Sequence, residues 1–489
     1  MFFKNVANLK TAQEKKYFLE NIEIINRFAE KTKELHNLNT IVLKNDDIYK
    51  QLEYMGIIKD EYEIDILKKI LKKDYNRLMS SISIYTSNKN FFTDTIDKFS
   101  NKYRKSLQTK KTNKSPAIID LFCGAGGFSY GFSRMGYNIL MANDIDKDAL
   151  RTYSFNHPEV NSSRIINGDI RLISQNIHKY VKSQVDIIIG GPPCQSFSSA
   201  NQQRVIDDPR NVLYKYFAKC VNNLKPKFII MENVKGMLKV ANQVIEDFDK
   251  IGYMVKYRLY DATNFSVPQK RIRLIYIGIN KEYARKQNLD VDIIMSDIEN
   301  EIIKNRKFVL KDALDNIDSL VCPDKKNQTE TDDESGSKIS INRHKNNEYL
   351  NLINDSNICS FIYNHKARFQ NETNLKIYSL LKQGEDSTAE TIKDIMPYSI
   401  RSHIFKDKYF KLIENEPSRT ITAHLKMDCH SHIHPTQIRA ITPREAARIQ
   451  SFPDDYLFFG PYLKTYMQIG NAVPPLMSKV FAKVFKKYL

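Results

Sequence analysis

A chain of 489 residues is too long for one ordinary domain, and with 42% hydrophobic and 27% charged residues it can bury two or three cores and stay in solution. A net charge of +18 implies a polyanionic partner, either nucleic acid or a membrane surface. No stretch approaches the roughly 18 consecutive apolar residues needed to span a bilayer, and the start, Met1 to Asn5, lacks the apolar run of a signal peptide. The six cysteines are scattered without a C-x-x-C pair, which argues against a disulfide framework or zinc ribbon and fits a reducing cytoplasm.

Residues 1–97 read as a helical extension. Tyr17, Phe18, Ile22, Ile25 and Phe28 fall near helical spacing, and Ile64, Ile66, Leu67, Ile70, Leu71 and Leu78 repeat that style. Short amphipathic helices in a basic segment serve either as structural packing or as a helix-turn-helix that touches DNA. Residues 98–114 hold seven Lys or Arg and no acid, which predicts a basic linker able to contact phosphates.

The character changes at Ser115. Ala117 to Phe122 is a short apolar strand, followed by the turn Cys123-Gly124-Ala125-Gly126-Gly127-Phe128-Ser129, where small residues let the backbone approach a ligand. A helix over 129–135 and a strand over 137–142 follow. Asp144 lies 20 residues after Gly124, the separation at which an acid on the next strand's tip reaches ribose hydroxyls. A third acid, Asp169, sits in Gly168-Asp169-Ile170 at another strand end. A dinucleotide site shares this pattern, but strict G-x-G-x-x-G fails because Ser129 stands at the third glycine position. Each acid also suits an ordinary helix N-cap.

Asp186 to Ile189 is a further buried strand. It breaks on Gly190-Gly191, stiffens on Pro192-Pro193 and delivers Cys194 at the strand's carboxyl end, where ligands of open α/β sheets sit. That cysteine is a nucleophile if its thiolate is favoured, and a buried structural residue otherwise. Residues 199–213 are polar and lack apolar period, as in a loop. Phe228 to Met231 is a strand ending in Glu232-Asn233-Val234. Gln269-Lys270-Arg271-Ile272-Arg273 leads into another, and alternation places Arg271 and Arg273 on one face, aimed into one pocket.

Residues 280–416 are polar and irregular, and the acidic stretch 324–337 reads as a disordered insertion. His424, Asp428, Cys429, His430, His432 and His434 crowd one segment. Structural zinc sites draw ligand pairs from two segments, however, and no second one appears, so no metal is expected. Thr442, Pro443 and Glu445 spell a capping box with proline at the first helical position. Gln468 to Pro475 precedes a C-terminal amphipathic helix over 477–488.

The stretch Gly191-Pro192-Pro193-Cys194-Gln195-Ser196-Phe197-Ser198 closely resembles the catalytic motif of the C5-cytosine DNA methyltransferases, and the family's other motifs follow in order over 116–279 and from 417 to the end. The resemblance implies an α/β fold: a doubly wound S-adenosylmethionine-dependent core over 115–282, completed by 439–489. A target-recognition region would interrupt it over 283–438, and the helical extension would precede it.

The same resemblance assigns roles. Phe122, Gly124, Gly126, Gly127, Pro192, Asn471 and Val473 would surround the methionine end of S-adenosylmethionine. Asp144 would hold its ribose, Ile145 would pack on adenine, and Asp169 with Ile170 would meet the adenine edge. Cys194 would attack C6 of a cytosine flipped out of double-stranded DNA, with Glu232, Arg271 and Arg273 holding the base. Gln195, Ser198, Arg204, Arg210, Arg419 and Thr420 would contact DNA. The family points to a bacterial cytoplasmic enzyme, acting as a monomer beside a separate restriction endonuclease or alone. A catalytically idle DNA-binding protein and a tRNA-methylating relative share the fold. The tRNA branch's Cys-Phe-Thr signature is absent here.

Overall fold

The structure, a computed structural model, describes residues 3–38, 43–92, 96–109, 115–193, 213–397 and 408–489. They divide into two compact units, the first gathering the N-terminal helices with Ser154–Ser163 and Ile339–Ile341, the second holding the remainder.

In the first unit the helices are Ala12–His36, Asn45–Met55, Ile64–Leu71, Tyr75–Ser87 and Asn101–Thr109. Phe18, Ile22, Ile25 and Phe28 are buried, as their spacing predicts, against a core shared with Leu52, Leu67, Leu78 and Ile82. Thr11 and Glu14 form a reciprocal capping box at the first helix. The stretch expected as a linker is helical over Asn101–Thr109. Its charges hide an amphipathic element: Lys102 and Lys105 point to solvent. Arg104 is buried and donates to the Lys98 carbonyl at 2.8 Å and to Ser154 Oγ at 3.2 Å. Residues 110–114 of that stretch lie outside the described residues.

The second unit is built on a seven-stranded sheet: β1 (Ala117–Leu121), β2 (Asn138–Asp144), β3 (Ile165–Asn167), β4 (Ile187–Gly190), β5 (Phe228–Val234), β6 (Tyr253–Asp261) and β7 (Ile272–Asn280). The order is β3-β2-β1-β4-β5-β7-β6, with β1 to β5 parallel and β7 antiparallel to both its neighbours. Runs such as Ile187-Ile188-Ile189 are buried on both faces, which is why they read as continuous apolar strings instead of alternating ones. On one face Ile119, Ile188, Ile229 and Leu274 pack against Phe217 and Val221 of helix Leu213–Leu224 and Val244 and Phe248 of helix Ala241–Lys250. The C-terminal helix Pro475–Phe485 closes the other side, with Phe485 edge-on to Phe228 and Phe481 edge-on to Tyr260.

One boundary moves and one stretch changes character. Helix Val291–Ile302, which the sequence reading placed in the recognition region, packs on β6, β7 and the C-terminal helix and so belongs to the core. The acidic stretch expected to be disordered is ordered: Asp333 accepts from Lys366 Nζ at 2.7 Å and from Ser335 N at 2.8 Å. Its carboxylates serve as turn caps and ion-pair partners, which local composition does not reveal. The capping box of Thr442, Pro443 and Glu445 is present as read. No helix among the described residues is long and apolar enough to cross a membrane.

Candidate active site

The strand order reverses at β1, whose neighbours are β2 and β4. That is the switch point at which an open α/β sheet leaves a crevice beyond the carboxyl ends of its strands. A cleft of about 1420 Å³ lies there, bounded by the glycine turn after β1, the tips of β2, β4 and β5, the residues leading into β7, and the segment before the C-terminal helix.

Backbone geometry explains the composition of the glycine turn. Phe122, Gly124 and Gly126 have φ of 59°, 52° and 96°, a region glycine enters freely and phenylalanine does not. A Cβ on Gly124 would find nothing within 4 Å, so its open side faces the cleft. Gly127 does the opposite: a Cβ there would lie 2.4 Å from the Val473 carbonyl, so its bareness lets the C-terminal segment become a cleft wall.

Asp144 accepts from Gly124 N at 2.9 Å on one oxygen and from Asp146 N at 2.8 Å on the other. Burial raises its pKa and these backbone donors oppose the rise. The carboxylate is therefore fixed, with lone pairs left for hydroxyl groups. Beside it Ile145 is 70% exposed, a large apolar side chain held open in the cleft. Asp169 caps the short helix Ile170–Ile173 and is ion-paired to Arg171 at 2.5 Å, which holds its carboxyl below the usual value.

At the other end of the cleft, Glu232 is inside β5 and not at its tip, paired across the ladder with Ile275. Its Oε1 receives Arg273 Nε at 2.8 Å, both side chains being largely buried. A Cβ on Gly191 would lie 3.1 Å from Glu232 Oε2, so that glycine keeps the carboxylate's surroundings open. Asn233 Nδ2 donates to the Pro192 carbonyl at 2.9 Å and pins the rigid turn that leads to residue 194.

Arg271 corrects the expectation that both arginines are aimed alike. It precedes β7, is 1% exposed, and donates to the carbonyls of Ile421 at 2.8 Å and of Gly470 and Ala472 at 3.0 Å each. Burial, then the charge on Arg273, depress its pKa, and Glu232 opposes them. Arg271 thus ties the segment around Ile421 to the one carrying Asn471, whereas Arg273 pairs with the acid. Asn471, Val473 and Thr420 line the cleft. Thr420 Oγ1 donates to the Lys270 carbonyl at 2.6 Å. Arg419 instead stacks its guanidinium over Phe410 at 4.5 Å and is not part of the cleft wall. Cys194, Gln195, Ser198, Arg204 and Arg210 lie outside the described residues; Pro193, the last described residue before them, lines the cleft.

Sequence reasoning passed over three contributors. Gln269 Oε1 accepts from Ile421 N at 2.8 Å, and Gln450 Nε2 donates to the Ala472 carbonyl at 2.8 Å, so both brace the irregular segments that Arg271 braces. Asp120, an acid within the apolar string of β1, is 1% exposed and borders the cleft. Ser129 Oγ donates to its Oδ2 at 2.5 Å, its Oδ1 has no partner, and burial pushes its pKa up to about 7. An acid inside an apolar strand was the available signal. Among the described residues no group of three His, Cys, Asp or Glu side chains is arranged for a metal ion. His430 bonds Tyr378 Oη at 2.7 Å and stacks on Tyr409, and His434 accepts from the backbone of Gln437.

A glycine turn with two strand-tip acids at a switch point, facing a carboxylate–arginine pair, is the arrangement of an α/β enzyme that takes a nucleotide-like cofactor. The family model for C-5 cytosine-specific DNA methylases matches residues 117–487. The chain is 32% identical over 395 residues to the type II methyltransferase M.DdeI of Desulfomicrobium norvegicum, covering 76% of this chain and 88% of that one. It is 32% identical over 384 residues to M1.HphI of Haemophilus parahaemolyticus, covering 76% and 87%. A solved structure described as a prophage-encoded DNA modification methyltransferase of E. coli superposes with a TM-score of 0.60 at 26% identity, covering 76% of this chain and 99% of that one. The chain belongs to the C-5 cytosine-specific DNA methylase family. It is a C5-cytosine DNA methyltransferase, and by that membership S-adenosylmethionine is its methyl source.

Proposed function

We propose that the two ends of the cleft divide the work, one holding S-adenosylmethionine and the other a cytosine turned out of duplex DNA. The observation that carries this reading is the placement of the Glu232–Arg273 pair and the Asn233-pinned turn in the same cleft as the Gly124–Asp144 cradle. The cradle suits the cofactor: Gly124 leaves open space, Asp144 offers fixed acceptors for ribose hydroxyls, and Ile145 presents an uncovered apolar face for adenine. Phe122, Gly126, Gly127, Asp169, Ile170, Pro192, Asn471 and Val473 complete its surroundings. When bound, S-adenosylmethionine supplies an electrophilic methyl group for C5.

The chain's own groups prepare the base. The Cys194 thiolate forms a bond to C6, and the electron pair displaced from the C5–C6 double bond makes C5 nucleophilic. Glu232, held in place by Arg273, faces the N3 and amino edge of the ring, accepts from the amino group and in its protonated form donates to N3, where negative charge develops. After methylation the C5 proton leaves to a base, the C5–C6 double bond re-forms, and the Cys194–C6 bond breaks to return the thiolate. Gln195, Ser198, Arg204, Arg210 and Thr420 contact DNA on this reading. Arg271 acts as a positioning residue. The type II names of the relatives support modification of one short duplex sequence beside a separately acting restriction endonuclease.

The test is base-resolution mapping of 5-methylcytosine in a methylation-free bacterial host expressing either the wild-type chain or Cys194→Ala. Methylation at one short recurring sequence, lost in the variant while purified variant still binds DNA, is the expected result. Methylation retained by Cys194→Ala would remove the nucleophile from the mechanism.

A further inference from the structure

Outside the matched family region, the N-terminal helical unit has a pocket of its own. Helix Asn45–Met55 sets Asp47, Lys50, Gln51 and Tyr54 at intervals of three and four residues, hence on one face. With Leu43, Thr86 and Lys89 they enclose about 310 Å³. Gln51 is 4% exposed, lines this pocket, and its Nε2 has no hydrogen-bond partner. Lys89 Nζ lies 5.7 Å from the centre of the Tyr54 ring and 5.8 Å from that of Tyr85, and Lys102 Nζ lies 5.5 Å from the Tyr54 ring. Among the described residues neither ammonium has a carboxylate partner, and Asp47 is the one acid on the pocket wall.

This arrangement has a physical cost that a ligand would relieve. Among the described residues two ammonium groups approach one ring with no anion between them to bind, and the buried Gln51 amide is left without an acceptor, which is unfavourable. A single anion with several acceptor oxygens answers both. The volume is at the lower end for sites that bury a small molecule, enough for one nucleotide unit and too small for a folded partner's side. The Tyr54 face is a platform for a sugar or base next to that anion. Since the chain acts on DNA, we propose that this pocket is a phosphate-ester site that takes the sugar-phosphate backbone of DNA, adding affinity that does not depend on sequence. The inference rests on the family's substrate and not on the roles assigned to Cys194 or Glu232.

The test uses the full chain and nonspecific duplex DNA, with binding measured by fluorescence anisotropy from 50 to 200 mM salt. Each phosphate that a variant no longer neutralises lowers the slope of log affinity against log salt by about 0.9. Lys89→Gln/Lys102→Gln is therefore expected to lower the slope by about one to two and to weaken binding roughly tenfold at 0.1 M salt. Gln51→Met removes the unpartnered amide while keeping the side chain's shape. It is expected to weaken DNA binding without lowering thermal stability, a combination that a merely structural residue would not give. Methyl transfer at saturating DNA and cofactor should be unchanged in both. Unaltered slope and affinity in both variants would overturn the site. Saturable binding of adenosine monophosphate to the wild type, lost in the variants while the DNA slope stays the same, would overturn the DNA assignment in favour of a free nucleotide.

Discussion

Replacing Arg271 by Met keeps most of the buried stem and removes the guanidinium. The carbonyls of Ile421 and Gly470 each lose a charged donor in a buried setting, while that of Ala472, half-buried at the cleft, keeps Gln450 Nε2. Hydrogen bonds from a charged donor contribute about 1.5–3 kcal/mol each, and relief from burying the cation offsets part of the loss, so a destabilisation of about 4 kcal/mol is expected. With an unfolding entropy near 2.1 cal/mol/K per residue, the larger unit should lose about 5 °C in its thermal midpoint. Because Asn471 lies between two of the anchored carbonyls, S-adenosylmethionine affinity should also fall at least roughly tenfold, about 1.4 kcal/mol. Scanning calorimetry and isothermal titration, run on Arg271→Met beside Arg273→Met, separate the roles. Arg273→Met should retain cofactor affinity and lose turnover by about 10²–10³-fold, as removal of a charge-stabilising donor does. If Arg271→Met kept both midpoint and cofactor affinity and lost only turnover, the bracing assignment would be wrong.

Three further outcomes follow from the same geometry. Asn233→Ala frees the Pro192 carbonyl, so single-turnover methylation should slow about 10–100-fold with cofactor affinity intact; equal losses of both would contradict a role confined to the Pro-Pro turn. Gly127→Ala puts a methyl 2.4 Å from the Val473 carbonyl and should cost about 1–3 kcal/mol of stability together with cofactor affinity, read by thermal shift with and without ligand. Asp120 supplies a pH signature. Its folded-state pKa of about 7 exceeds the ordinary carboxyl value, so between about pH 4 and 7 the folded chain holds a proton that the unfolded chain releases. Its contribution to stability is full below pH 4 and is lost as pH rises through 7. Asp120→Asn removes it, so the wild type's advantage over the variant in denaturant midpoint should grow as pH falls from 7 to 4; a constant difference would mean that Asp120 does not titrate there.

Where function depended on a short run of residues, the sequence was sufficient. The apolar strings of β1, β4 and β5, the glycine turn and the capping box at Thr442 depend on local sterics and local hydrogen bonds, which neighbouring residues specify. Charge counting failed at Asn101–Thr109, since a helix's buried face is one residue in three or four and Arg104 disappears into an average. It failed again at Asp333, whose partner Lys366 is distant in sequence.

The sequence by itself determined the family and the glycine turn with its strand-tip acid Asp144, because each is written in short runs of neighbouring residues. Only the tertiary structure separated Arg271 from Arg273, two residues apart and chemically alike. One meets a carboxylate and the other meets three carbonyls, delivered from Ile421 and from the segment before the C-terminal helix. A side chain's role is fixed by what folding brings to it, and partners 150 to 200 residues away leave no trace in the local pattern.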